Sequence, residues 1–128
     1  MRILLDTSTF LWFIGGSRKL SKKAIEIIEN FDNELVMSAA SLWEIAIKDS
    51  IGKLELSEPF EQLIPKEINK NEIEILQIEL PHLYEMMKLP LYHKDPFDRL
   101  IIAQGIIEQL PVIACDKAFK SYNIDIIW

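Results

Sequence analysis

Asp95-Pro96-Phe97-Asp98-Arg99-Leu100-Ile101-Ile102-Ala103-Gln104-Gly105-Ile106-Ile107 is the stretch that decides the fold class. Asp95 suits a helix N-cap, where a short carboxylate accepts orphan backbone N–H groups. Pro96 suits the first helical position, where no N–H is needed. The run Leu100–Ile107 is apolar nearly all round, so it predicts a central, buried helix. Outward from it, five short apolar or β-branched segments read as strands: Ile3–Asp6, Glu34–Ser38, Ile73–Leu76, Val112–Ala114 and Asp125–Ile127. Helical spacing fills the gaps. Ser21 caps an amphipathic helix with Ile25, Ile28 and Phe31 on one stripe. Ala40–Ile51 is stopped by Gly52, Glu58–Ile68 opens with Pro59, and Leu80–Lys88 follows. Strands alternating with helices predict a three-layer α/β/α sandwich around a mostly parallel sheet of about five strands.

A chain of 128 residues fits one domain, spanning 1–128, because independent cores usually need about 100–150 residues. A hydrophobic fraction of 49% excludes intrinsic disorder. Fourteen Lys and Arg against 20 Asp and Glu give a net charge of −6, which argues against binding duplex DNA through a basic face. The acidic excess sits in residues 55–93, with 8 acids and 3 bases; residues 1–54 carry 7 of each and could face a polyanion. The single cysteine, Cys115, excludes an internal disulfide framework and a cysteine-rich zinc site. The opening MRILLDTSTFLWF makes a poor signal peptide, and no apolar run approaches the ~20 residues that span a bilayer. The expectation is a soluble, cytoplasmic protein with no membrane association.

Ile3-Leu4-Leu5-Asp6 and Val112-Ile113-Ala114-Cys115-Asp116 end alike, each delivering a carboxylate at a strand's carboxyl end. In sheets of this class the reactive crevice lies there. Either Asp alone reads as a turn or helix cap; the two together point to a site. Glu44, in Ser41-Leu42-Trp43-Glu44-Ile45-Ala46-Ile47-Lys48, borders the apolar stripe of Ile47 and Ile51. It reads either as a third site acid or as half of an i, i+4 surface pair with Lys48, worth a few tenths of a kcal/mol. Asp98 sits in the first turn of the buried helix, where the helix dipole alone would favour an acid. Asp95 already explains the cap, so Asp98 is the better ligand.

Carboxylates converging in one crevice repel each other and take up protons unless a cation sits among them. No Lys or Arg adjoins Asp6 in the sequence. A divalent ion is the economical solution, and oxygen ligands without a Cys or His pair select Mg²⁺ or Mn²⁺ over Zn²⁺. Such an ion can lower the pKa of water and neutralise a phosphodiester transition state. Thr7 and Ser8 follow Asp6, where they orient waters or cap the next helix.

With Asp6, Glu44, Asp98 and Asp116 in that order, the chain resembles the PIN-domain ribonucleases, specifically the VapC-type toxins of toxin–antitoxin pairs. LLDTSTFLWF, MSAASLWEIAIK, IGKLEL, HKDPFDRLIIAQ and PVIACDKAFKSYNIDIIW carry the resemblance from end to end. It implies a PIN fold, Mg²⁺- or Mn²⁺-dependent cleavage of RNA, inhibition by a cognate antitoxin, and a homodimer. By motif position it assigns Asp6, Glu44 and Asp98 to the acidic core, with Asp116 the fourth. Ala114 departs from relatives that often carry Thr or Ser two residues before the last acid.

Other residues read more plainly. His93 orders the loop before Asp95 or touches a phosphate, and His82 is a surface residue at a helix start. Cys115 is a small buried strand residue. Phe10, Trp12 and Phe13 are core or line a groove for a partner helix. Gly15-Gly16 is a turn and, without a GxxxxGK[ST] pattern, no phosphate loop. Lys48, Arg99 and Lys117, near the motifs, are candidates for holding an RNA backbone. Three other readings compete. A receiver-type phosphoacceptor needs an acid pair after the first strand and an acceptor Asp after the third, but Thr7 follows Asp6 and Gln77 follows Leu76. A haloacid-dehalogenase-type phosphatase wants an Asp where Ser8 stands. A non-catalytic PIN-like module that only binds a partner is the alternative closest to the favoured reading, and the presence of all four acids weighs against it.

Overall fold

β1 (Arg2–Leu5), β2 (Glu34–Ser38), β3 (Glu74–Leu76), β4 (Val112–Ile113) and β5 (Ile126–Ile127) form one sheet in a computed structural model that describes residues Met1–Trp128. The strand order is β3-β2-β1-β4-β5 and every neighbouring pair is parallel. Each crossover therefore carries helix: α1 (Thr7–Ile14) and α2 (Lys22–Glu29) after β1, α3 (Ala39–Ser50) and α4 (Phe60–Lys70) after β2, α5 (Leu80–Lys88) and α6 (Pro96–Glu108) after β3. A 3₁₀ turn over Lys117–Ser121 links β4 to β5.

Strand alternation divides the interior into two cores. Ile3, Leu5, Leu35, Met37 and Ile113 pack on one face with Phe10 of α1, Ala24 and Ile28 of α2, Ile45 of α3 and Ile64 of α4. Leu4, Val36, Leu76 and Val112 pack on the other with Ile101 and Ile102 of α6. Both faces are covered, which is why the strands read as unbroken apolar runs. This is the three-layer α/β/α sandwich. Leu100 to Gly105 of α6 are all buried, as the all-round apolar run requires. At Gly105 a Cβ would lie 3.1 Å from Val112 Cγ2 and 3.4 Å from the Leu110 carbonyl, so the helix approaches β4 closely. No helix is long and apolar enough to cross a membrane.

Several expectations need correction. Helix α2 ends at Glu29, with Asn30 as its C-cap, so Phe31 lies beyond it in a turn, fully exposed rather than on the buried stripe. β4 stops at Ile113, which leaves Cys115 exposed past the strand instead of buried within it. α4 begins at Phe60, with Pro59 at its N-cap. His82 is 1% exposed, far from a surface residue. Its Nδ1 accepts the Glu79 N–H at 3.0 Å, and its Nε2 donates to Glu108 Oε2, also at 3.0 Å, tying α5 to α6.

Candidate functional site

The strand order reverses direction at β1: the chain winds outward through β2 and β3, then crosses back to place β4 on the other side of β1. Helical connections diverge at such a switch point and leave a crevice beyond the carboxyl ends of the strands. Asp6 follows β1 and Asp116 follows β4, so the two flank that crevice, and the Asp6 N–H donates to the Ile113 carbonyl at 3.2 Å. A cavity of about 280 Å³ opens there, lined by Asp6, Thr7, Ser8, Trp12, Glu44, Lys48, Asp95, Asp98, Cys115 and Asp116. All four sequence-nominated acids share it. A larger depression of about 790 Å³, around Phe13, Ile28, Phe31 and Leu35, lies toward the amino end of β2 and gathers no comparable set of groups.

Each acid is placed by a local cap or pair. Asp6 Oδ1 accepts the Thr9 N–H at 2.8 Å as the N-cap of α1, so the capping and site readings hold together. Asp95 Oδ1 accepts the Asp98 N–H at 2.9 Å, the cap expected of Asp-Pro, and leaves the Asp98 carboxylate to the cavity. Asp116 Oδ1 accepts the Ala118 N–H at 2.9 Å, and the residue is exposed. Glu44 is 5% exposed, yet it makes the Lys48 pair: Nζ to Oε2 is 2.7 Å. Thr7 donates to Glu44 Oε1 at 2.7 Å and lies 2.9 Å from Ser41 Oγ. Both Glu44 oxygens are thus engaged by residues on the cavity wall. Ser8 is exposed at the rim.

Burial pushes the Asp6 carboxyl up from 3.8 to about 6, opposed by the Thr9 hydrogen bonds and reinforced by Glu44 and Asp116. Burial also raises Asp98 to about 6, opposed by the His93 hydrogen bond and reinforced by Asp95 and Asp6. Desolvation is the larger cause in both; the mutual repulsion expected from the sequence is secondary. The Lys48 ammonium is held above its ordinary value, first by its hydrogen bond to Glu44. Two carboxyls that burial makes hold their protons more tightly than usual are chemically suited to exchange them for a cation.

The structure extends one sequence reading and overturns another. His93 Nε2 lies 2.7 Å from Asp98 Oδ2 and 3.5 Å from Asp116 Oδ2, so an imidazole belongs to a donor set that otherwise presents only carboxylate oxygens. The loop-ordering role expected of His93 therefore extends to two of the acids that line the cavity. Arg99, expected among the phosphate contacts, points away from that task. Its guanidinium donates to the carbonyls of Met86, Leu89, Pro90 and His93 at 3.0–3.3 Å, because the end of α5 and the loop after it turn their carbonyls toward it. Lys48 and Lys117 remain as exposed cations, the first on the cavity wall and the second next to Asp116.

The family model for the PIN domain matches residues 3–124. A comparison with curated proteins finds no match. Among solved structures, the chain superposes on VapBC2 from Rickettsia felis bound to a DNA fragment from their promoter, with a TM-score of 0.72 and 17% identity over 99% of this chain and 98% of that one. VapBC-1 from nontypeable Haemophilus influenzae gives 0.72 and 18%, covering 99% and 97%. VapBC-5 from Mycobacterium tuberculosis, a member of the VapBC family of toxin-antitoxin systems, gives 0.63 and 17%, covering 98% and 97%. At these identities the likeness speaks for the fold.

Proposed function

The chain belongs to the PIN domain family, and from that premise we propose that it is a Mg²⁺- or Mn²⁺-dependent endoribonuclease acting as the VapC-type toxin of a toxin–antitoxin pair. One observation carries the reading: Asp6, Glu44, Asp98 and Asp116 come from four separate segments and line a single cavity at the switch point of the sheet. Four carboxylates lining one cavity, with a single imidazole beside Asp98 and Asp116, fit a hard divalent ion better than zinc. The four acids would hold it. Bound there, the ion supplies positive charge to a phosphodiester and to the water that attacks it.

The remaining roles belong to the chain itself. Thr7 and Lys48 hold the two oxygens of Glu44 and fix its rotamer. Asp95 caps α6 and so keeps the Asp98 backbone where its carboxylate meets the cavity. Lys48 and Lys117 offer charge to the flanking RNA phosphates, contacts that position a strand without reading its sequence. The similar structures are of VapBC toxin–antitoxin systems, which supports an antitoxin partner for this chain; a homodimer acting in the cytoplasm completes the proposal. An antitoxin Arg or Lys placed among the acids would neutralise them and displace the metal.

The test is cleavage of RNA by the purified protein with Mn²⁺, with EDTA, and with Asp6→Asn. Cleavage that needs the divalent ion and vanishes in Asp6→Asn is the expected result. Full activity in excess EDTA would remove the metal from the mechanism, and partner binding with no cleavage under any metal would favour a non-catalytic module.

A further inference from the structure

The segment from Leu89 to Asp95 has no regular secondary structure, yet it is tied down along its length. Arg99 bonds four of the carbonyls that frame or form it, at 3.1 Å to Met86, 3.2 Å to Leu89, 3.0 Å to Pro90 and 3.3 Å to His93. Tyr122, 7% exposed, adds a second anchor: its hydroxyl donates to the Pro90 carbonyl at 2.6 Å and accepts the His93 N–H at 2.9 Å. The His93 ring packs on the buried ring of Phe119, with centroids 6.0 Å apart. Backbone N–H, carbonyl and ring of one histidine are therefore all fixed. A loop is costly to order, and this much anchoring of an irregular segment calls for a reason.

The reason lies at the far end of the imidazole. Nε2 sits 2.7 Å from Asp98 Oδ2 and 3.5 Å from Asp116 Oδ2, between one acid delivered by α6 and one delivered by the turn after β4. No backbone hydrogen bond joins those two segments at the acids themselves, and Asp116 is the most exposed of the four. We infer that His93 is the positioning residue of the site: clamped by Arg99, Tyr122 and Phe119, it donates to Asp98 and keeps Asp98 and Asp116 beside one another, where they would hold a divalent ion. The inference rests on the acid-site reading above and adds a residue that acts through two of the acids, without touching substrate. Partners of this kind, which orient metal-ligating carboxylates, commonly contribute 10- to 100-fold to metal affinity or activity.

The experiment uses the full chain as His93→Ala and His93→Gln, with Asp6→Asn as reference. Titration calorimetry with Mn²⁺ alone and with Mg²⁺ alone gives affinities without any turnover; RNA cleavage gives kcat and KM; thermal melting in EDTA reports the fold. His93→Ala should lose about 10- to 100-fold in affinity for both ions and in kcat, with KM little changed. His93→Gln, whose amide N–H can still donate to Asp98, should recover part of both, and it is the variant to read if His93→Ala melts early. Wild-type affinity and kcat in folded His93→Ala, with both lost in Asp6→Asn, would overturn the positioning role while leaving the acid site standing. A loss confined to Mn²⁺ would make His93 a direct ligand, and a rise in KM with kcat unchanged would make it a phosphate contact; either replaces the inference. If Asp6→Asn itself binds metal and cleaves like wild type, the acid-site reading fails and takes this one with it.

Discussion

Replacing Asp6 by Asn should stabilise the metal-free protein at high pH, although the side chain is a helix cap. The carboxyl is 4% exposed, and burial lifts it from 3.8 to about 6. Two units at ~1.4 kcal/mol each mean that ionising it in the folded state costs about 3 kcal/mol more than in the unfolded chain. The folded state binds the extra proton between about pH 4 and pH 6, so stability contributed by this group is full below pH 4 and falls as pH rises through 6. Asn keeps an oxygen for the Thr9 N–H and caps about as well as Asp, so it removes the charge without removing the cap. Urea unfolding in EDTA should therefore show wild type losing stability from pH 4.5 to 8 and Asp6→Asn losing less. The variant should lead by about 1–3 kcal/mol at pH 8 and by little at pH 4.5. Asp98 titrates in the same window and shares the cavity, so the two effects do not simply add. Saturating Mg²⁺ should raise wild type and spare the variant. If Asp6→Asn is no more stable than wild type at pH 8, or if its advantage does not shrink in acid, the burial argument is wrong.

Asp95→Ala should cost about 0.5–2 kcal/mol as a lost N-cap while folded protein keeps cleaving; Asp98→Ala should cost little stability and remove cleavage. Denaturation and RNA cleavage on the two variants decide this, and the reversed pattern would exchange cap and ligand. Arg99→Ala should lower stability by about 2–4 kcal/mol, because four carbonyls lose a charged donor at once, and amide exchange should accelerate across residues 86–93. Unchanged exchange there would mean that the loop does not depend on its clamp. Gly105→Ala gains helix propensity but pushes a methyl to 3.1 Å from Val112, so a net loss of about 1 kcal/mol is expected in urea unfolding, and a gain would show that β4 yields easily.

Much of this architecture was legible in the sequence, and the failures share a cause. Asp95-Pro96 and the apolar run behind it announce a capped, buried helix because capping and burial are local properties. The acids of β1 and β4 were legible because a strand's carboxyl end is a position that topology makes special. His82, Phe31 and Arg99 misled because their environments are built by distant chain. His82 finds Glu108 only once α5 lies on α6, 26 residues on. Phe31 fits the helical period of α2 but sits beyond Asn30, where the chain leaves the helix for β2. Arg99 next to a site acid looks like a phosphate hook, and nothing in its neighbours reveals four carbonyls waiting on the other side. His93 was only half legible: its loop role followed from the Asp-Pro cap, but its reach to Asp116 depends on β4 lying beside β1.

The insertion of β4 against the free edge of β1 also governs when the acid site can form. Protein synthesis runs from the amino end, and during it β1, β2 and β3 can associate with their helices while α6 and β4 are still inside the ribosome. In that intermediate Asp6 has no Ile113 carbonyl to hold its N–H, and Asp98 and Asp116 have not been delivered. The acid site is missing from that intermediate, because the strand that docks on the open side of β1 also brings the last acid to the crevice. If the proposed antitoxin must cover the finished site, it has the interval between emergence of β1 and docking of β4 in which to arrive.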